Sequence, residues 1–224
     1  MTFRYPNDTQ HIAVIGKNGT GKTLAAMNLL SRRPFEDRPE LIIDFKRDEH
    51  IAQLEAEEIP VGSIPEKSGL YVVRPDVSAK KLLVPTMEKA YRRENIGVFI
   101  DEAFVLSQDK DAEGMLENLL TQGRSKHIPL IILIQRPLWV SRFVFTECSF
   151  FQLFHLQDKR DATTLQAVLP ESAFDRLPPF HSSYYDVGRD QLDFLSPVPQ
   201  EDEIVSRINK RIRAMRKRNG PRYL

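Results

Sequence analysis

The chain has 224 residues, 41% of them hydrophobic, with 32 Lys and Arg against 31 Asp and Glu. That length and apolar content suit one sizeable buried core, and the near-neutral charge names no partner by itself. A lone Cys148 excludes a disulfide framework and a Cys-rich metal site. The longest apolar run, Pro129–Ile134, is far short of a membrane span, and the polar segment Met1–Gln10 is no signal peptide, so the chain reads as soluble and cytosolic.

Short apolar runs alternate with helical spacing along the chain. His11–Ile15 ends in a glycine-rich loop, and Thr23–Leu30 follows with Leu24, Met27 and Leu30 at helical intervals. Leu41–Asp44 and Leu70–Val73 are further strand-like runs. Ser78–Arg93 reads as one helix, and Ile96–Ile100 as a strand ending in acids. Ala112–Gln122 is helical, Leu130–Ile134 is a strand ending at Gln135, and Phe150–Phe154 is the sixth run. Buried runs bounded by turns and separated by amphipathic helices predict an α/β fold with a mostly parallel sheet. Pro170–Pro199 reads as an irregular appendage or short β elements. Glu201–Arg218 reads as a terminal helix, which divides the chain into a domain over residues 1–200 and a basic tail over 201–224.

Gly16-Lys17-Asn18-Gly19-Thr20-Gly21-Lys22-Thr23 has the spacing G-x-x-x-x-G-K-[ST] between a strand and a helix. Glycines there let successive backbone N–H groups face a phosphate chain, and the helix N-terminus adds its positive end. The expected ligand is ATP with Mg²⁺, bound by Gly16 through Thr23 and by Leu24 on the first helical turn. Lys22 would reach the terminal phosphates, and Thr23 would hold the metal. Val98-Phe99-Ile100 delivers Asp101, a second Mg²⁺ residue, and Glu102, placed to polarise an attacking water. Asp44 ends another strand but no acid follows it, which makes it the weaker metal residue. Gln135, ending a neighbouring strand, is a candidate sensor of the terminal phosphate. Arg124, Arg160 and Arg136 are candidates for an arginine that neutralises transition-state charge, the first two at positions from which a neighbouring subunit could be served.

Taken with the Walker motifs, the segment Gln122-Gly123-Arg124 through Ile134-Gln135-Arg136-Pro137 resembles the Gly-Arg…Gln-Arg-Pro element of the FtsK/HerA superfamily of DNA-pumping ATPases. Asp44-Phe45-Lys46 and Phe151–Leu165 resemble further elements of it. Ile134 departs from the threonine usual in the cell-division translocases. The resemblance implies a RecA-like P-loop core and a homo-oligomeric, typically hexameric ring that moves double-stranded DNA. Arg124 becomes the preferred finger acting in trans, with Arg160 second. A motor this small resembles the genome-packaging ATPases of tailless, internal-membrane viruses, which implies work in the host cytoplasm or at a virion vertex beside portal or capsid proteins. An ATPase of protein assembly or secretion is the alternative, and a nucleotide-dependent scaffold is a third.

Lys210, Arg211, Arg213, Arg216, Lys217 and Arg218 crowd the C-terminal segment without an acid among them, while Ile204, Ile208, Ile212 and Met215 recur at helical spacing. One stripe is expected to pack and the basic face to meet DNA phosphates, or else an acidic protein or lipid. Arg47–His50 and Lys80–Lys81 are candidate pore loops.

Overall fold

The computed structural model describes residues 3–219, without the side chains of residues 79, 80 and 219. In chain order it runs β1 (Ile12–Ile15), α1 (Lys22–Leu30), β2 (Pro39–Asp44), α2 (Glu49–Ala52), β3 (Glu57–Glu58), β4 (Gly69–Val73), α3 (Val84–Arg93), β5 (Gly97–Asp101), α4 (Lys110–Gln122), β6 (Leu130–Ile134), α5 (Phe143–Glu147), β7 (Phe150–Leu153), α6 (Lys159–Leu165), β8 (Ser182–Asp186), β9 (Gln191–Leu195) and α7 (Glu201–Asn219). One nine-stranded sheet has the order β3-β4-β2-β5-β6-β1-β7-β8-β9. Strands β1 to β7 are mutually parallel, and β8 and β9 add to the edge antiparallel.

The central strands are apolar throughout because helices cover both faces. Ala13 and Ile15 point into a core shared with α3, α4 and α5, through Met87, Leu116, Leu119 and Val144. Ile12 and Val14 point the other way, into a core with Met27, Leu30, Ile204, Ile208 and Ile212. The C-terminal helix therefore closes one face of the sheet as part of the core. Its first turn carries Glu201, Asp202 and Glu203 and its last turn Arg216, Lys217 and Arg218, a charge order that complements the helix dipole.

One expectation changes, and of the two readings of Pro170–Pro199 the structure has the short β elements. Ser78–Arg93 is not a single helix: a 3₁₀ segment spans Val77–Leu83 and α3 starts at Val84. Pro85 explains the break, since a proline lacks an N–H and its ring excludes a preceding α-turn, so it fits only the first turn of a helix. Pro170–Pro199 supplies β8 and β9, which continue the sheet beyond β7. Among the described residues no helix is long and apolar enough to cross a membrane.

Candidate active site

The phosphate loop continues β1 and is pinned on both sides. Gly16 N–H donates to Ile134 O at 3.1 Å and Lys17 N–H to His155 O at 3.2 Å, tying the loop to the strand ends of β6 and β7. Gly16 must be glycine because a Cβ there would stand 2.6 Å from Phe154 Cβ. Gly21 precedes α1 with φ 93°, a left-handed conformation that glycine adopts at little cost. No side chain caps α1 and no acid lies in its first turn, so its leading N–H groups stay available to an anion.

Lys22 is buried, and its ammonium donates to Lys17 O at 3.2 Å. Burial lowers its pKa; the nearby Lys46 adds to this, while Glu102, Asp101 and Asp48 oppose it. Thr23 Oγ1 donates to Asp48 Oδ2 at 3.4 Å.

On the neighbouring strands, Asp44 and Asp101 are partners in register at the ends of β2 and β5. Asp101 is 2% exposed, and its Oδ2 is the one buried side-chain polar atom without a hydrogen bond among the described residues. Burial pushes its pKa up to about 7; Asp48, Asp44 and Glu102 push the same way and Lys46 opposes them. An orphaned buried carboxylate oxygen beside a phosphate loop fits a divalent cation. Asp101 and the Thr23 hydroxyl are the residues that would hold it. No group of three or more acidic, His or Cys side chains that could hold a metal by itself is found among the described residues. Asp44 is otherwise engaged: Arg74 Nε donates to its Oδ2 at 3.1 Å, and Asp48 N–H to its Oδ1 at 3.0 Å. Glu102 turns the chain out of β5 at φ 71°, an uncommon conformation for a non-glycine residue, and its carboxylate pairs with Lys46.

Gln135 is half-buried at the end of β6, between the strands that carry Asp101 and the phosphate loop. The arginines differ sharply. Arg136 is consumed within the chain, donating to Asp161 and Asp158 at 2.9 Å each and lying over the Trp139 ring. Arg160 is exposed on the first turn of α6, at the phosphate-loop edge, and pairs with Asp158. Arg124 is exposed in the loop from α4 to β6, where its charge is felt by His11 at the start of β1. It therefore lies at the end of the central strands opposite the phosphate loop.

The basic face of α7 is partly paired within the chain. Arg211 is built into the fold: it pairs with Glu36, donates to Ser31 O and Arg33 O, and stacks over Phe35. Arg213 and Arg216 both pair with Glu55. Lys210, Lys217 and Arg218 are exposed. Of the candidate pore loops, Asp48 caps α2 and His50 contacts Glu201, while Lys81 lies 3.8 Å from Asp109; the Lys80 side chain lies outside the described residues, as does the tail from 220 to 224.

Sequence reasoning missed Lys46 and Asp48 as site residues. Asp48 carried a readable signal, an acid heading Glu49-His50-Ile51 as a helix N-cap, but nothing local says that the cap also meets Thr23.

No family model matches the chain. The DNA packaging ATPase P9 of Enterobacteria phage PRD1 is 38% identical to it over 222 residues, which span 93% of this chain and 96% of the relative. The chain belongs to the family of DNA-packaging ATPases. The fold of this packaging ATPase is shared by the genome packaging NTPase B204 of Sulfolobus turreted icosahedral virus 2 in complex with sulfate, at TM-score 0.70 and 15% identity over 87% of this chain and 99% of that one. EssC of Geobacillus thermodenitrificans also has this fold, at TM-score 0.62 and 15% identity over 95% of this chain and 45% of that one. The α/β fold with a mostly parallel sheet, expected from the alternation of apolar runs and helices, is the fold these structures share with the chain.

Proposed function

We propose that this chain is an ATP-driven translocase of double-stranded DNA that packages a viral genome. The observation that carries the reading is the meeting, in a chain of this family, of a complete phosphate loop with a buried Asp101 and an adjacent Glu102. Bound Mg²⁺ would neutralise charge on the β- and γ-phosphate oxygens. Lys22 and the first N–H groups of α1 bind the phosphates, with the rest of Gly16–Leu24 shaping their bed. Asp101 and Thr23 would hold the metal. Glu102, once released from Lys46, orients water and accepts its proton, and Gln135 senses the terminal phosphate.

Arg124, exposed and remote from its own phosphate loop, acts on the nucleotide of the next subunit in a homo-oligomeric ring, hexameric by the family's habit. Arg160 stands second. Lys210, Lys217 and Arg218 are the tail cations left to meet DNA phosphates, an interaction without sequence preference. The ring works in the host cytoplasm or at the packaging vertex, against portal or capsid proteins.

ATP hydrolysis measured with and without long double-stranded DNA tests this reading. DNA should stimulate turnover, and Glu102→Gln and Arg124→Ala should each abolish the stimulated rate, by about 100-fold or more. Turnover indifferent to DNA at low and moderate salt would transfer the chain to protein-handling motors.

A further inference from the structure

Beside the phosphate loop lies an open cleft of about 920 Å³. Lys17, Gly19 and Thr20 form one wall, and the segment from Ala173 to His181, which the sequence presents as irregular, forms the other. The cleft opens on the β7 and β8 side of the loop, whereas Asp101 and Gln135 stand on the β5 and β6 side. A nucleotide whose terminal phosphate faces Asp101 and Gln135 must leave the loop toward this cleft.

Phe180 projects here. It belongs to neither hydrophobic core and is 56% exposed, yet its ring comes within 3.4 Å of where a Gly21 Cβ would be. Its backbone has φ 64°. It is the third residue of a tight turn that begins Pro178-Pro179 and is closed by His181 N–H donating to Pro178 O at 3.2 Å. Proline at the second position and a positive φ at the third are the marks of a type II turn, which takes Gly or Asn at that third place. A large aromatic ring there is both conformationally strained and exposed to water, and nothing in the packing accounts for either.

We infer that this cleft is the base-binding subsite of the nucleotide site, with Phe180 as the platform on which a purine stacks. The inference rests on the phosphate loop binding a nucleoside triphosphate. It gives the strained turn a ligand-facing role. An aromatic face offered to a base supplies affinity that the phosphates cannot, and purines, with the larger π surface, gain most from it.

Calorimetric titration of the full chain with Mg-ATP and with Mg-tripolyphosphate separates the parts. Phe180→Ala should weaken ATP about 10-fold and leave tripolyphosphate within about 2-fold, and Phe180→Trp should bind ATP within about 2-fold of the parent chain. Unchanged ATP binding in Phe180→Ala, or equal loss of both ligands, overturns the subsite. A parent chain that binds neither ligand overturns the nucleotide reading and the subsite with it.

Discussion

Lys46 closes its ammonium on the Glu102 carboxylate, joining the loop after β2 to the end of β5 across the mouth of the phosphate site. The contact raises the pKa of Lys46 against the effect of its own burial. It also adds a second cation, beside Lys22, to the cluster of Asp48, Asp101 and Glu102.

Removing that cation leaves the carboxylates to repel one another. Lys46→Met should lower the melting temperature of the nucleotide-free chain by about 2–4 °C, the size expected of roughly 1 kcal/mol in a domain of this length. Mg-ATP should raise the melting temperature of the variant more than that of the parent, because the dication takes over the role of Lys46. Thermal scans with and without Mg-ATP check both halves.

Asp48 has two separable duties. Its side chain caps α2 by accepting from His50 N–H at 2.9 Å, and its other oxygen accepts from the Thr23 hydroxyl. Asparagine keeps the cap and loses the charge. Asp48→Asn should retain the parent's stability and weaken Mg²⁺-dependent nucleotide binding by about 10-fold, as loss of a supporting partner of a metal ligand commonly does. Asp48→Ala should lose both, with about 1 kcal/mol of stability gone along with the cap. Denaturant melts beside Mg²⁺ titrations distinguish the two variants.

His11 makes stability depend on pH. It is fully buried, Nε2 donates to Leu120 O at 3.0 Å, and Nδ1 accepts from Leu130 N–H at 3.1 Å. Burial, above all, lowers its pKa to about 4. The unfolded chain takes up its proton near pH 6.5 and the folded chain only near 4, so this contribution is complete above 6.5 and drains away as pH falls to 4. The loss amounts to about 3 kcal/mol at most. Chemical denaturation between pH 7 and 4 should show it, and His11→Gln, less stable at pH 7, should lack this part of the slope.

Arg211 and Lys217 share a helix and should behave oppositely. Arg211→Ala strips Glu36 and two carbonyls of a half-buried partner and should cost about 1–3 kcal/mol in a denaturant melt. Lys217→Ala should leave stability unchanged and reduce the salt dependence of DNA binding by about one unit of slope. DNA titrations at several salt concentrations check the second half.

The chemistry written in consecutive residues was legible from sequence. Gly16–Thr23 needs only its own spacing to make an anion cradle, and Asp101-Glu102 needs only a strand to carry it. Period and polarity also placed the central strands to within a residue or two at most ends. What escaped depends on distant partners. Lys46 is recognisable only once β2 lies beside β5, and Asp48 only once its loop reaches α1. The arginines of α7 look alike as a basic stripe. Whether each is free or paired is decided by Glu36 and Glu55, more than 150 positions earlier in the chain. Phe180 is a loop aromatic like others until its turn is closed against Gly21.

The phosphate loop and Arg124 stand at opposite strand ends of one sheet, so the finger proposed at Arg124 serves a neighbouring subunit and not its own. Two crippled chains should therefore repair one another. A Lys22→Ala subunit keeps a working Arg124, and an Arg124→Ala subunit keeps a working phosphate loop. In the proposed ring, a working Arg124 of the first variant beside a working phosphate loop of the second should rebuild a whole site from two halves. Each variant alone should be silent, and a blend of the two should hydrolyse ATP.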